Sequence, residues 1–407
     1  MSLSLAGSTA AYLHIPFCRR RCYYCDFAIS IVGDQPPLAR LEATDEYREY
    51  GTIAQYVDFL CQEIQTTPSG GQPLKTVFFG GGTPSLLTVK QLEQILTLLD
   101  RRFGIAADAE ISMEMDPGTF DRDKLQGYVA AGINRVSLGV QAFQAELLAA
   151  CGRTHTPEDI AWAIDLIHQT NLQNFSLDLI SGLPHQTLEN WQESLEAAIT
   201  LAPSHLSIYD LTVEPGTAFD RWYQPGTAPL PTDAMTAQMY RLAQQILTGA
   251  DYEHYEISNY ARSGFQCQHN RVYWENKPYY GFGMGAASYL QQQRFTRPRK
   301  RSDYYQWVQE FIAAAGEIDC SPTPPTEMLL DTLMVGLRLA EGLSLTQLES
   351  QFGKAIVQDI LTCLQPHQQK GWVQITDRSR DARIQLTDPE GFLFSNVVLS
   401  DLFEALG

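Results

Sequence analysis

Strand-like and helical runs alternate through the first half of this sequence, and that alternation restricts the fold more than any other feature. Runs suited to strands occur at AAYLHIP (10–16), TVFFGG (76–81), EISMEMD (110–116), RVSLGVQ (135–141), NFSLDLI (174–180) and HLSIYDL (205–211). Between them lie VKQLEQILTLLDRRF (89–103), PEDIAWAIDLIHQT (157–170) and LENWQESLEAAIT (188–200), whose apolar residues recur at three and four as on one face of a helix. Strands alternating with helices wind into parallel, right-handed β/α units. Six such units predict an α/β fold built as a partial (β/α)6 barrel, short of the closed eightfold form. Asp116-Pro117-Gly118 and Gly182-Leu183-Pro184 mark turns where the chain leaves the sheet. Beyond about 295 the pattern changes to helices followed by a small β hairpin (WVQITD, RIQLTD), the order of a winged-helix-like domain. The expected division is therefore a core over 1–295 and a C-terminal domain over 296–407, with SPTPPTE (321–327) as a connector.

Charge and composition narrow the setting. With 29 Lys and Arg against 47 Asp and Glu the net charge is -18, which argues against a nucleic-acid partner, because phosphate affinity depends on clustered cations. The two compact basic groups, Arg19 to Arg21 and Arg297 to Arg301, are short and read as local features. Eight cysteines are too sparse for a disulfide framework in a chain of 407 residues. No run of about 18 apolar residues occurs, and no signal-peptide pattern opens the chain. The expectation is a soluble cytoplasmic protein, not an integral membrane one.

Three of the cysteines form a cluster, Cys18, Cys22 and Cys25, directly after the first predicted strand. Chemistry in parallel β/α folds collects at the carboxyl ends of strands, so this loop belongs at the barrel mouth. The CxxxCxxC spacing brings three thiolates to a metal but supplies no fourth sulfur. A closed structural zinc site uses four protein ligands, whereas an iron-sulfur cluster on three cysteines keeps one iron open. Three ordinary loop thiols are the alternative. Polar residues fall at matching positions on later strands: Gly80 to Thr83, Glu114, Gln141 and Asp178. Each alone reads equally well as a cap or loop ligand, and only their recurrence points to a site. Cys61, Cys151, Cys320 and Cys363 are isolated and read as buried thiols.

The cysteine motif followed by GGGTPS (80–85) resembles radical S-adenosylmethionine (SAM) proteins. The resemblance implies a [4Fe-4S] cluster on Cys18, Cys22 and Cys25, with SAM on the open iron and reductive cleavage of SAM to a 5'-deoxyadenosyl radical. Within that superfamily the segments YLHIPFC, GGGTPS, EISMEMDP, NRVSLGVQAF, CGRTH, FSLDLISGLP and HNRVYW are similar to oxygen-independent coproporphyrinogen III dehydrogenase and to the related HemW haem chaperones. This likeness implies that Tyr12 and Tyr24 flank cluster and SAM, and that Gly82 and Thr83 touch the SAM methionyl part. Glu114, Gln141, Arg153 and Asp178 would bind its remaining polar groups. Thr212 and Ala287 are looser matches near the adenosine.

Three features separate the relatives. The dehydrogenase has a fourth cysteine where this chain has Phe27, and it has a longer segment where only eleven residues precede Tyr12. His269-Asn270-Arg271-Val272-Tyr273-Trp274 matches the HNxxYW pattern of the HemW family. Read locally, His269 among aromatics is either a haem-iron ligand or an ordinary core histidine, and the resemblance favours the ligand. Cys267 lies outside the pattern, and His14, inside the first strand, is expected to orient the cluster loop. The resemblance implies a haem chaperone that binds haem and passes it to acceptor haem proteins, respiratory ones among them. Oxidative decarboxylation of coproporphyrinogen III is the alternative, and a radical SAM reaction on another substrate is a third. Oligomeric state stays open, with a homodimer as one option.

Overall fold

A computed structural model describes residues 8–33, 46–318, 320–376 and 381–407 of the chain. Residues 1–7, within the short stretch preceding Tyr12, lie outside the described residues. The predicted alternation is present: β1 (Ala10–Ile15), β2 (Leu74–Gly81), β3 (Ile105–Met115), β4 (Arg135–Gln141), β5 (Phe175–Ser181) and β6 (His205–Asp210) pair in sequence order, each parallel to the next. The helices α1 (Glu46–Thr66), α2 (Val89–Phe103), α3 (Arg122–Ala131), α4 (Pro157–Gln169) and α5 (Leu188–Thr200) cross between them.

The local reason for the helix starts is a repeated cap. Thr88, Thr156 and Thr187 each accept from the backbone amide three residues on, and Gln91, Asp159 and Asn190 reach back to the cap amide. Each such cap is worth about 1 kcal/mol. Inside α2, Leu92, Ile95, Leu96, Leu99 and Phe103 then form the stripe buried against the sheet.

The sheet goes further than six strands. β7 (Glu253–Glu256) and β8 (Asn259–Ala261) continue it antiparallel beyond β6, and β9 (Tyr280–Phe282) adds a parallel strand beside β1, in register Ala11↔Tyr280. The order β9-β1-β2-β3-β4-β5-β6-β8-β7 does not return on itself, so among the described residues the barrel is open. Between β8 and β9 the HNRVYW segment forms a short helix, α6 (Gln268–Trp274).

Tyr304 and Val308, on the helix Arg301–Ala313, pack into the barrel's hydrophobic core. A second core runs from Leu329 to Leu402, built on Pro325–Gly336, Leu345–Phe352, Lys354–Gln369 and Ser395–Leu406 around a three-stranded sheet. This is the expected winged-helix-like unit, with a closing helix after the hairpin. Arg241 with Glu390, His254 with Asp388 and Arg338 with Glu256 bind the two units together. Among the described residues no helix is long and apolar enough to cross a membrane.

Candidate functional site

The chain leaves β1 through Pro16, and Phe17–Cys18 pairs in parallel with Ser30–Ile31, closing a loop that carries all three cysteines. Ser30 N donates to Pro16 O (2.6 Å), Val32 N to Cys18 O (2.9 Å) and Arg21 Nη1 to Cys25 O (2.9 Å). The three thiols are free and face one cavity of about 400 Å³ at the carboxyl ends of the strands. Burial pushes the Cys18 thiol up to about 12 and raises Cys25 as well. Cys18 and Cys25 are therefore neutral until a metal displaces their protons. Among the described residues no three His, Cys, Asp or Glu are arranged to hold a single metal ion. A cubane cluster makes a different demand, since each thiolate binds a separate iron, and three thiols spaced around one cavity suit that.

The glycine run fits beneath this loop with no room to spare. A Cβ on Gly82 would lie 2.7 Å from Phe17 O and 3.0 Å from Cys18 Sγ, and one on Gly81, whose φ is +116°, would lie 2.6 Å from the His14 ring. Only glycine permits both the contact and the left-handed backbone. Gly82 N donates to Ile15 O (2.8 Å) and Thr83 N to Phe17 O (2.7 Å), fixing the run to the first strand. His14 joins Tyr12 Oη through Nδ1 (3.0 Å) and Ala28 O through Nε2 (2.9 Å). It thus holds the far end of the cysteine loop.

Tyr24, Gly82, Thr83, Glu114, Gln141, Arg153 and Asp178 line the cavity together with the cysteines, and Thr212 does too. Glu114 accepts from Gly81 N (3.0 Å), and burial, helped by the charge of Asp178, pushes its carboxyl up to about 8. Asp178 accepts from Ser137 Oγ at 2.8 and 3.0 Å. Gln141 adopts φ +68° where the β4–β5 register shifts, an uncommon conformation for a non-glycine residue. Arg153 donates to Asp116 Oδ1 (2.5 Å), Gly139 O (2.9 Å) and Cys22 Sγ (3.4 Å). Both its terminal nitrogens are thus engaged by the protein.

Asp116 was legible only as part of a turn, yet it also accepts from Thr83 Oγ1 (3.0 Å) and so ties the glycine run, the arginine and the cysteine loop into one network. No local signal marks it, because its partners lie 33 and 37 positions away.

Tyr12, Ala287 and His269 fall outside this cavity. Tyr12 and Ala287 line a separate open cleft of about 360 Å³. His269 is 1% exposed within the barrel, with Nδ1 joined to Thr76 Oγ1 (2.8 Å) and Nε2 to Tyr273 Oη (2.8 Å), and its ring stacks on Phe78. Burial, reinforced by the Arg135 charge, lowers its imidazole to about 3, so it is neutral. Phe27, at the position of the dehydrogenase's fourth cysteine, is 57% exposed.

Comparison with known proteins bears on the family and the fold. The radical SAM superfamily model matches residues 12–198, and the HemN C-terminal domain model matches 323–394. Among curated proteins, heme chaperone HemW of Synechocystis sp. is 49% identical over 98% of this chain and 97% of its own length. Heme chaperone HemW of Bacillus subtilis is 34% identical over 85% and 88%, and that of Escherichia coli 41% identical over 68% of each. Among solved structures, coproporphyrinogen III oxidase (HemN) from Escherichia coli, described as a radical SAM enzyme, superposes with a TM-score of 0.77 over 98% of this chain and 90% of that one. At 23% identity this likeness speaks for the fold, a partial radical SAM barrel with its C-terminal unit. Radical SAM membership implies a [4Fe-4S] cluster and SAM, and the cysteine cavity suits both. On these likenesses the chain belongs to the HemW family of the radical SAM superfamily.

Proposed function

We propose that this protein is a haem chaperone: it binds haem, passes it to acceptor haem proteins, and carries a [4Fe-4S] cluster on Cys18, Cys22 and Cys25 with SAM at the remaining iron. The observation that carries the reading is the near full-length likeness, at 49% identity, to a relative named heme chaperone HemW. A reduced cluster with SAM supplies one-electron chemistry when bound. The chain's own residues hold that ensemble. Thr83 donates toward Cys18 Sγ (3.7 Å) and Arg153 toward Cys22 Sγ, which stabilises thiolate charge. Gly82 lets the backbone come close to the ligand. Glu114, Gln141 and Asp178 offer donors and acceptors for SAM's polar groups, and Tyr24 closes the wall. Tyr12 acts one layer out, through His14, on the loop.

His269 is the proposed haem ligand. For Nε2 to take iron, the Tyr273 hydroxyl must release it, so haem binding and loosening of α6 are one event in this reading. The C-terminal unit, set off in the sequence at 296, has a partner or packing role, and the working location is the cytoplasm. Anaerobic haem titration followed by absorption, run beside an assay for coproporphyrinogen loss, tests the proposal. Haem binding without turnover supports the chaperone; turnover to protoporphyrinogen replaces it with the dehydrogenase.

A further inference from the structure

Deeper in the open barrel lies a second chamber of about 160 Å³, bounded by Tyr12, Glu114, Arg135, Asp178, Tyr209 and His269. Glu114, Asp178 and Tyr209 also line the cysteine cavity, so the two spaces share a wall. Arg135 opens β4, is 2% exposed, and its Nε has no hydrogen-bond partner. Nor does its guanidinium form an ion pair among the described residues. A buried cation in that condition is costly, and proteins ordinarily pair it.

The charges of Glu110 and Asp178 favour the cation, yet neither carboxylate hydrogen-bonds to it, because both are engaged elsewhere. Glu110 accepts the amides of Gln268 and His269, each at 3.1 Å, and so caps α6. Asp178 takes the Ser137 hydroxyl, and Glu114 is held uncharged at neutral pH while accepting Gly81 N. A planar fork of donors thus faces a chamber with space for roughly five waters at about 30 Å³ each, the size of a short acid side chain.

We propose that Arg135 is a carboxylate-binding residue: an acid side chain of a ligand in the neighbouring cavity enters this chamber and pairs with the guanidinium through two parallel hydrogen bonds. Assigning that acid to a haem propionate rests on the haem reading above; a free organic acid is the other source.

The test uses the full chain with its cluster, handled without oxygen. Thermal unfolding is followed with sodium propionate, with propionamide, and with sodium chloride at matched ionic strength. Wild type should gain a saturable stabilisation from propionate alone, and Arg135→Gln should gain none. No propionate-specific shift in wild type, or the same shift in Arg135→Gln, overturns the proposal. Should Arg135→Gln fail to fold, Arg135→Lys takes its place, with a weakened shift expected, and the contrast of propionate with propionamide in wild type decides by itself.

A second arm compares haem with haem dimethyl ester. Wild type should bind the ester roughly tenfold or more weakly, and Arg135→Gln should bind both alike. Equal affinities in wild type overturn the haem source and leave the chamber to a free acid. If wild type binds neither, the haem reading itself fails, while the propionate arm still stands.

Discussion

Replacing Gly82 by alanine tests how closely the glycine run supports the cysteine loop. The added Cβ would lie 2.7 Å from Phe17 O and 2.9 Å from Pro16 C, against an ordinary C···O approach of roughly 3.3 Å or more. Neither neighbour can swing aside, since both are backbone and Thr83 N already holds Phe17 O at 2.7 Å. The loop must therefore move by about 0.6 Å. Overpacking of this kind costs about 1–3 kcal/mol, small enough for the barrel to survive. The displacement falls on the segment that carries Cys18, whose Sγ would lie 3.0 Å from the new atom. The assay is iron and sulfide content per chain after anaerobic reconstitution, beside the thermal midpoint. Cluster occupancy should fall several-fold and the midpoint by a few degrees. Gly249→Ala, at the end of a helix with nothing within 4 Å of its Cβ, is the control and should be neutral or stabilising by up to about 1 kcal/mol. Full cluster occupancy and an unchanged midpoint in Gly82→Ala would refute the steric reasoning.

Asp116→Asn should cost up to about 3 kcal/mol in urea unfolding, because it leaves Arg153, whose side chain is 9% exposed, without its countercharge. The 29% exposure of Asp116 keeps the loss at the low end of that range. If His269 takes haem iron, His269→Ala should weaken haem binding while cluster content stays intact. In the same titration Tyr273→Phe should tighten binding about fivefold, since it removes a competing hydrogen bond worth about 1 kcal/mol. Unchanged affinity in both variants removes His269 from the haem site. Stability should also depend on pH in a defined direction. His269 and His155 are lowered by burial to about 3 and about 4, so below about 6.5 the unfolded chain binds protons that the native one refuses. Stability is then full above that pH and falls as acid is added, by up to about 1.4 kcal/mol per pH unit for each histidine, and His269→Gln should remove one share of the slope. Glu114 acts with the opposite sign: its carboxyl, raised to about 8, makes stability decline as pH rises from about 4.5 to 8, and Glu114→Gln should flatten the upper part of that decline.

The amino-acid order alone determined the six parallel strands, three of the five crossing helices and the cysteine loop at the barrel mouth. Each is written in near neighbours: apolar spacing of two or of three to four, a threonine answered three residues on, a turn after a strand. The gathering of Glu114, Gln141 and Asp178 at one cavity was legible for the same reason, since strand ends in a parallel sheet share one side. Other features needed the tertiary structure, because they depend on contacts across long stretches of chain. Tyr280–Phe282 has only three residues and a glycine, too little for a local strand signal, and it becomes one because β1 offers an edge. Asp116 matters through Thr83 and Arg153, neither of them near in sequence. His269, as a residue type, suits haem iron, but whether a ring nitrogen is free depends on Thr76 and Tyr273. Arg135 reads in sequence as an unremarked start of a strand. Only the curling of the open sheet around it leaves a buried guanidinium facing a chamber, because burial and partnering are properties of the packed whole.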